Sequence, residues 1–209
     1  MPTTTQQARR IPLSRRSHII GFQSLWTGAA RHESALERDF VTLTSFVEPS
    51  VVIHSQPVTI VFEDCGRRRR YTPDFLVERA AGPEVIEIKY EQDLRAQRAT
   101  LEPAFRAAEH WARERHAPFR VLTDRDIRGC LLDNAKRLLP LRALPLDARA
   151  AILVLTHAHT LKRATFRALI MAIPDRRLAL ATIWRLIARA SLLADLSAPI
   201  TLDSELRPA

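Results

Sequence analysis

Leu36, Phe40, Leu43 and Phe46 recur at helical spacing behind Ser34, which can serve as N-cap with Glu37 three residues on; this predicts a helix over 34–46, closed by Pro49. The period then changes. Residues 51–63 are β-branched and partly alternating, with Pro57 implying a bulge or an edge position. Asp64-Cys65-Gly66 marks a hairpin turn, 69–79 a second strand, Ala81-Gly82-Pro83 another turn, and 84–90 a third strand with period-two alternation. Glycines at both turns predict a three-stranded antiparallel meander. Residues 103–115 place Phe105, Ala108, Trp111 and Ala112 on one helical face, and 119–122 form a short apolar strand ended by Thr123-Asp124. Helix, meander, helix and strand in this order predict an α/β core.

Pro140 and Pro145 bracket a boundary, beyond which helical patterns run over 147–157, 161–172 and 176–190 and pass into two short apolar strands within 192–202. Three helices and a small hairpin fit a winged helix; a plain helical cap packed on the first domain fits equally well. At the other end, residues 1–16 lack hydrophobic periodicity and predict a flexible basic arm, and Gly21 and Gly28 suggest turns in the mixed stretch that follows. The expected division is therefore an arm over 1–16, an α/β domain over 17–139 and a C-terminal domain over 140–209.

Composition narrows the function classes. With 46% hydrophobic and 26% charged residues, the 209-residue chain has the make-up of an ordinary globular protein. A formal net charge of +9 calls for an anionic partner, nucleic acid first. No amphipathic helix combines a long basic face with exposed Trp or Phe, so a membrane surface is not the expected partner. Of 32 basic residues only Lys89, Lys136 and Lys162 are lysine. Genomic base composition would explain the arginine excess as well as function does, but it makes each lysine conspicuous. Cys65 and Cys130 suggest neither a disulfide framework nor zinc, and His18, His32 and His54 have no ligand spacing. Without a signal peptide or a spanning run, the expectation is a cytoplasmic protein.

The chemistry concentrates in Tyr71-Thr-Pro-Asp74-Phe-Leu-Val77 and Glu87-Ile-Lys89. Residues two apart on a strand share a face, so Glu87 and Lys89 project together, and a hairpin can bring Asp74 to them. Two carboxylates and an ammonium at this spacing suit metal-assisted phosphodiester hydrolysis, with hard oxygen ligands for Mg²⁺ and a cation beside the developing negative charge. A solvated strand face with a weak ion pair is the bland alternative for an isolated Glu-x-Lys. The preceding Pro73-Asp74 converts the pair into the pattern of a restriction-endonuclease-like core. Lysine fits because its compact ammonium delivers a point charge where a guanidinium cannot. The run Arg67, Arg68, Arg69 and Arg70, placed at the base of the hairpin leading to Asp74, could clamp phosphates or be a solvated turn. Arg185 and Arg189 lie one turn apart, as a recognition helix needs and as a solvated basic face also provides.

Ser34-Ala-Leu-Glu37-Arg-Asp-Phe40, Val51-Val52 through Gln56-Pro57, Tyr71 to Val77, Glu87 to Lys89, and Leu122-Thr-Asp124-Arg-Asp-Ile127 occur in the order found in TnsA, the endonuclease subunit of heteromeric transposases. The chain resembles that family over roughly 15–128, with Arg16-Ser17-His18 a further family-like element. The resemblance implies a restriction-endonuclease-like core in which Glu37, Asp74, Glu87 and Lys89 form the catalytic set. Asp74 and Glu87 would be direct metal ligands, with Glu37 completing the site. Mg²⁺ would be the cofactor, with Mn²⁺ able to substitute. It further implies cutting of double-stranded DNA at the 5′ ends of a transposon, beside a TnsB-like DDE transposase and a TnsC-like ATPase. Some family members carry Gln where this chain has Glu87. Glu33 competes with Glu37 for the helix role but reads as a solvated first-turn carboxylate. Gln56 either supports the site, touches DNA, or is a buried strand amide satisfied by backbone. A stand-alone repair or restriction nuclease with the same core, or a non-catalytic DNA-binding assembly subunit, would share most of these features.

Overall fold

The computed structural model describes residues 21–25 and 28–209, so the 1–16 arm and Arg16-Ser17-His18 lie outside the described residues. The chain divides into two compact units, one running to Arg128 and one from Gly129 to Ala209.

The first unit opens with strands β1 (Gly21–Leu25) and β2 (Gly28–His32), paired antiparallel. Gly21 and Gly28, expected in turns, begin these strands instead. Helix α1 (Ala35–Val47) starts where its cap predicts, since the Ser34 Oγ accepts the Glu37 N–H at 3.1 Å. It buries Leu36, Phe40 and Val41, and the Phe40 ring lies 5.2 Å from that of Phe75.

The expected meander is present in altered form. The 51–63 strand divides into β3 (Val52–Ser55) and β4 (Ile60–Asp64), and the 69–79 strand into β5 (Arg67–Tyr71) and β6 (Phe75–Arg79). Strand β3 pairs antiparallel with β6, which pairs antiparallel with β7 (Gly82–Lys89); β7 then pairs in parallel with β8 (Phe119–Thr123), giving the order β3-β6-β7-β8. Strands β4 and β5 form a separate two-stranded ribbon. The break has a local cause. Gln56 takes a positive φ of 49° immediately before Pro57, which can donate no ladder hydrogen bond. The ribbon closes at Cys65 and Gly66, both at positive φ, as a tight hairpin turn requires.

Helix α2 (Glu91–Arg113) begins twelve residues before the expected start at Pro103 (103 − 91), which instead lies inside it. Its first half has no apolar stripe, so hydrophobic periodicity is silent there. Good helix formers, the Glu91–Arg95 ion pair and a cap from outside sustain it: the Asp124 carboxylate accepts the Glu91 N–H at 2.8 Å. Asp124 opens the short helix α3 (Asp124–Ile127) at the end of β8, where Thr123 and Asp126 form a capping box. Lys89 and Thr123 are register partners across β7 and β8, so this cap also ties down the end of β7. Val85, Ala112 and Ala117 pack together with Leu76, Trp111 and Phe119 on one side of the sheet.

The second unit contains helices α4 (Cys130–Leu138), α5 (Ala148–Thr160), α6 (Phe166–Met171) and α7 (Arg176–Ala188), with a 3₁₀ turn over Leu139–Ala143. The expected boundary at Pro140 falls too late: α4 precedes it and belongs to this unit rather than to the α/β domain. Helix α6 starts later than the 161–172 pattern suggests, because Thr165 caps it through the Ala168 N–H. Strand β9 (Leu192–Leu193) pairs with β10 (Arg207–Pro208), not with a neighbour inside 192–202. The intervening chain is held irregular by Asn134, whose Nδ2 donates to the Leu196 and Ala198 carbonyls at 3.0 and 2.9 Å. Phe166 is fully buried against Trp184, ring centroids 5.0 Å apart. Among the described residues no helix is long and apolar enough to cross a membrane.

Candidate active site

Asp74 stands at the joint where the ribbon gives way to β6. Its carbonyl accepts the Gln56 N–H at 2.8 Å and its Oδ2 accepts the Ile88 N–H at 2.7 Å, so both its main chain and its carboxylate are held by neighbouring strands. On β7, Val85, Glu87 and Lys89 alternate with Ile86 and Ile88, and the expected shared face is realised: the Lys89 Nζ donates to Glu87 Oε1. Glu87 is only 3% exposed, which removes the solvated ion pair as an account of this carboxylate. Its second oxygen, Oε2, accepts the Tyr71 O–H at 2.6 Å.

Glu37 reaches the same region from the first turn of α1, its Oε2 accepting the Glu33 N–H at 2.7 Å. The four groups feel one another. Burial pushes the Asp74 carboxyl well above the usual carboxylate range, the Glu87 charge beside it pushes further, and Lys89 opposes both. Burial also raises Glu37, against the hydrogen bonds from Glu33 and Ser34 that favour its ionised form. For Lys89, burial works against the ammonium, yet the Glu87, Asp74 and Glu37 carboxylates together outweigh it and hold the pKa above the ordinary lysine value. Three carboxylates thus face one ammonium in a largely dehydrated place.

Two roles differ from expectation. Gln56 is buried, but its amide is satisfied by a side chain rather than backbone: Nε2 donates to Glu33 Oε1 at 2.9 Å, while its own Oε1 is buried without a hydrogen-bond partner. Glu33, expected as a solvated first-turn residue, is instead half-buried and linked to both Gln56 and Glu37. Tyr71 lies in one of the family-like runs, but the sequence carries no signal for its contact with Glu87, which depends on the break between β5 and β6.

The arginines are not brought to the carboxylates by any hydrogen bond. Arg67 to Arg70 are exposed along β5, from the ribbon tip at Arg67 to one residue short of its base at Tyr71, with Arg69 paired to Asp64 at 2.9 Å. In the second unit, Arg185 is half-buried on α7 and Arg189 donates to the Arg142 and Leu144 carbonyls, closing the 3₁₀ turn onto the helix end.

The residues fit a hard divalent cation by their chemistry: closely set carboxylate oxygens, of which those of Asp74 and Glu37 are pushed toward the protonated form by burial where no cation offsets them. In the present geometry these oxygens turn to internal donors, and among the described residues no three His, Cys, Asp or Glu side chains gather as a ready-made metal cluster. A mixed sheet flanked by helices, with Pro73-Asp74 leading into β6 and Glu87-Ile-Lys89 on its neighbour β7, is compatible with a nuclease core. Residues 49–124 match the family described as TnsA-like endonuclease N terminal, which supports a nuclease of that type. No curated protein matches the chain. The match includes Asp74, Glu87 and Lys89 but stops short of α1, so Glu37 stands on geometry and the sequence resemblance.

Proposed function

We propose that this protein is the endonuclease subunit of a heteromeric transposase, hydrolysing DNA phosphodiesters at the 5′ ends of a transposon with Mg²⁺, for which Mn²⁺ substitutes. The observation that carries the reading is that Asp74, Glu87 and Lys89 stand together where β6 meets β7, with Glu37 near enough to act on Asp74 and Lys89 by its charge. Asp74 and Glu87 would hold the metal, with Glu37 completing its shell. A metal bound there supplies an activated water and stabilises the leaving oxygen. Lys89 is held protonated by its carboxylate neighbours, so it acts as a fixed cation beside the phosphate rather than as a proton acceptor. Asp74, locked by the Ile88 N–H, keeps its geometry through the cycle without reorganisation.

The partners of this reading are a TnsB-like DDE transposase, which would cut the 3′ ends, and a TnsC-like ATPase. The second unit, with α5 to α7 followed by the β9–β10 pair, is read as winged-helix-like and as the docking surface for one of them; the exposed Ile152 and Leu153 on α5 support a partner-facing role. The test is a transposon-end cleavage assay with both partners present and both strands mapped. Cutting at the 5′ ends that vanishes on chelation and returns with Mg²⁺ or Mn²⁺ is expected. Unchanged 5′ cutting when this subunit is omitted would overturn the assignment.

Arg68 and Arg70 share the exposed face of the ribbon, where they would meet phosphates. Replacing both by alanine should lower the slope of log affinity against log salt by about 2, measured by fluorescence anisotropy on duplex DNA. A slope equal to wild type would mean that the ribbon does not touch DNA.

A further inference from the structure

Glu87 is buried and reaches two donors at once, one for each carboxylate oxygen. Lys89 takes Oε1 from two positions along β7; Tyr71 takes Oε2 from the last residue of β5, a different part of the chain. The phenol does not arrive there by chance of a mobile side chain. Tyr71 is the register partner of Ile60 across the ribbon, and its ring lies 6.1 Å from Phe105 of α2 in an edge-on contact. Phe105 in turn sits 5.7 Å from Phe119 of β8. The hydroxyl is therefore aimed at Glu87 by packing that does not depend on Glu87.

From this geometry we infer that Tyr71 is a positioning residue for the metal site: its O–H holds Glu87 Oε2, so that Oε1 is the oxygen presented when the Lys89 contact is exchanged for a metal. The inference rests on Glu87 being a metal-holding carboxylate. A carboxylate with both oxygens free to rotate would lose orientation entropy on binding a cation; one oxygen fixed by a phenol makes the other monodentate and directed. Outer hydrogen-bond partners of this kind typically contribute roughly 10–100-fold to metal affinity. Tyr71→Phe keeps the ring on Phe105 and removes only the donor, which separates positioning from packing.

The experiment is calorimetric titration of the full chain with Mn²⁺, comparing wild type, Tyr71→Phe and Asp74→Ala, with melting curves for each. Wild type should bind, Asp74→Ala should lose binding, and Tyr71→Phe should bind about tenfold more weakly, with a cooperative melt whose midpoint falls by only a few degrees. Equal binding by wild type and Asp74→Ala would overturn the metal reading and this inference with it. Loss in Asp74→Ala but wild-type affinity in Tyr71→Phe would overturn this inference alone. A second measurement needs no substitution at Tyr71. The chain has two tyrosines, Tyr71 and Tyr90, so 3-fluorotyrosine labelling gives a two-line fluorine spectrum assignable with Tyr90→Phe. The Tyr71 line should move with Mg²⁺ over the concentration range of binding; a stationary line while calorimetry records binding would overturn the inference.

Discussion

If Asp74 holds the metal as proposed, Asp74→Asn is expected to lower metal-dependent cutting on the order of 10³-fold, since it would remove a charged ligand worth several kcal/mol of transition-state stabilisation. The same substitution should raise the stability of the protein in chelator. Asparagine can still accept the Ile88 N–H through its side-chain oxygen, so the anchoring bond survives. What disappears is a buried negative charge that burial and the neighbouring Glu87 both disfavour. The sign follows from linkage. A carboxyl whose pKa is higher folded than unfolded takes up a proton on folding, so its contribution is fully present below the ordinary value of 3.8 and is lost as pH rises through the elevated native value. Glu37 acts in the same direction. Lys89, raised above the ordinary lysine value, contributes stability that is lost only at alkaline pH, outside this window. Each tenfold difference in proton affinity between folded and unfolded chain corresponds to about 1.4 kcal/mol, or roughly 3 °C for a chain of this size. Melting curves in chelator should therefore show the variant above wild type at neutral pH, with the gap closing as pH falls. A gap independent of pH would refute the electrostatic account, and wild-type cutting by Asp74→Asn would refute its role as ligand.

Lys89→Ala carries the second large effect, with the opposite sign for stability. It leaves Glu87, 3% exposed, with Tyr71 as its remaining side-chain donor. Removing one partner of a buried pair strands the other charge and costs about 3 kcal/mol. Urea unfolding in chelator should register this loss, and adding Glu87→Gln in the same chain should recover most of it, because the uncompensated charge is then gone. Cutting should stay absent in both, separating catalysis from folding. Lys89→Arg is not expected to restore cutting, since a forked guanidinium does not reproduce the compact point charge that the ammonium brings to Glu87 and the Ile88 carbonyl. Equal stability of wild type and Lys89→Ala would mean that the pair is solvated after all.

Opposite signs are expected because one carboxylate of the site, Asp74, is undercompensated and the other, Glu87, is matched by its donors. Asp74 is the strained member. Glu87, with a donor on each oxygen, is not. This division also explains why a carboxylate at position 87 is tolerated in so enclosed a place: Tyr71 and Lys89 compensate it internally.

Local physical chemistry decided several features that the sequence alone could disclose. Ser34 and Glu37 begin α1 because a cap is a contact between residues three apart. Glu87 and Lys89 meet because strand alternation is a property of the backbone itself. Gly66 and its neighbour Cys65 turn the ribbon because a tight hairpin needs positive φ. Tertiary structure decided the rest. The division of two long strands at Gln56-Pro57 and at Thr72-Pro73 separates the ribbon from the sheet, and only then does Tyr71 come over Glu87. The start of α2 is set by Asp124, 33 residues from the N–H it caps. Glu33 is drawn in by Gln56 from 23 residues away. Periodicity reports which face a side chain takes within its own element, but contacts between elements depend on strand order and on the points where pairing stops. At those points Asp74, Glu87 and Lys89, with Glu37 beside them, become one electrostatically coupled group.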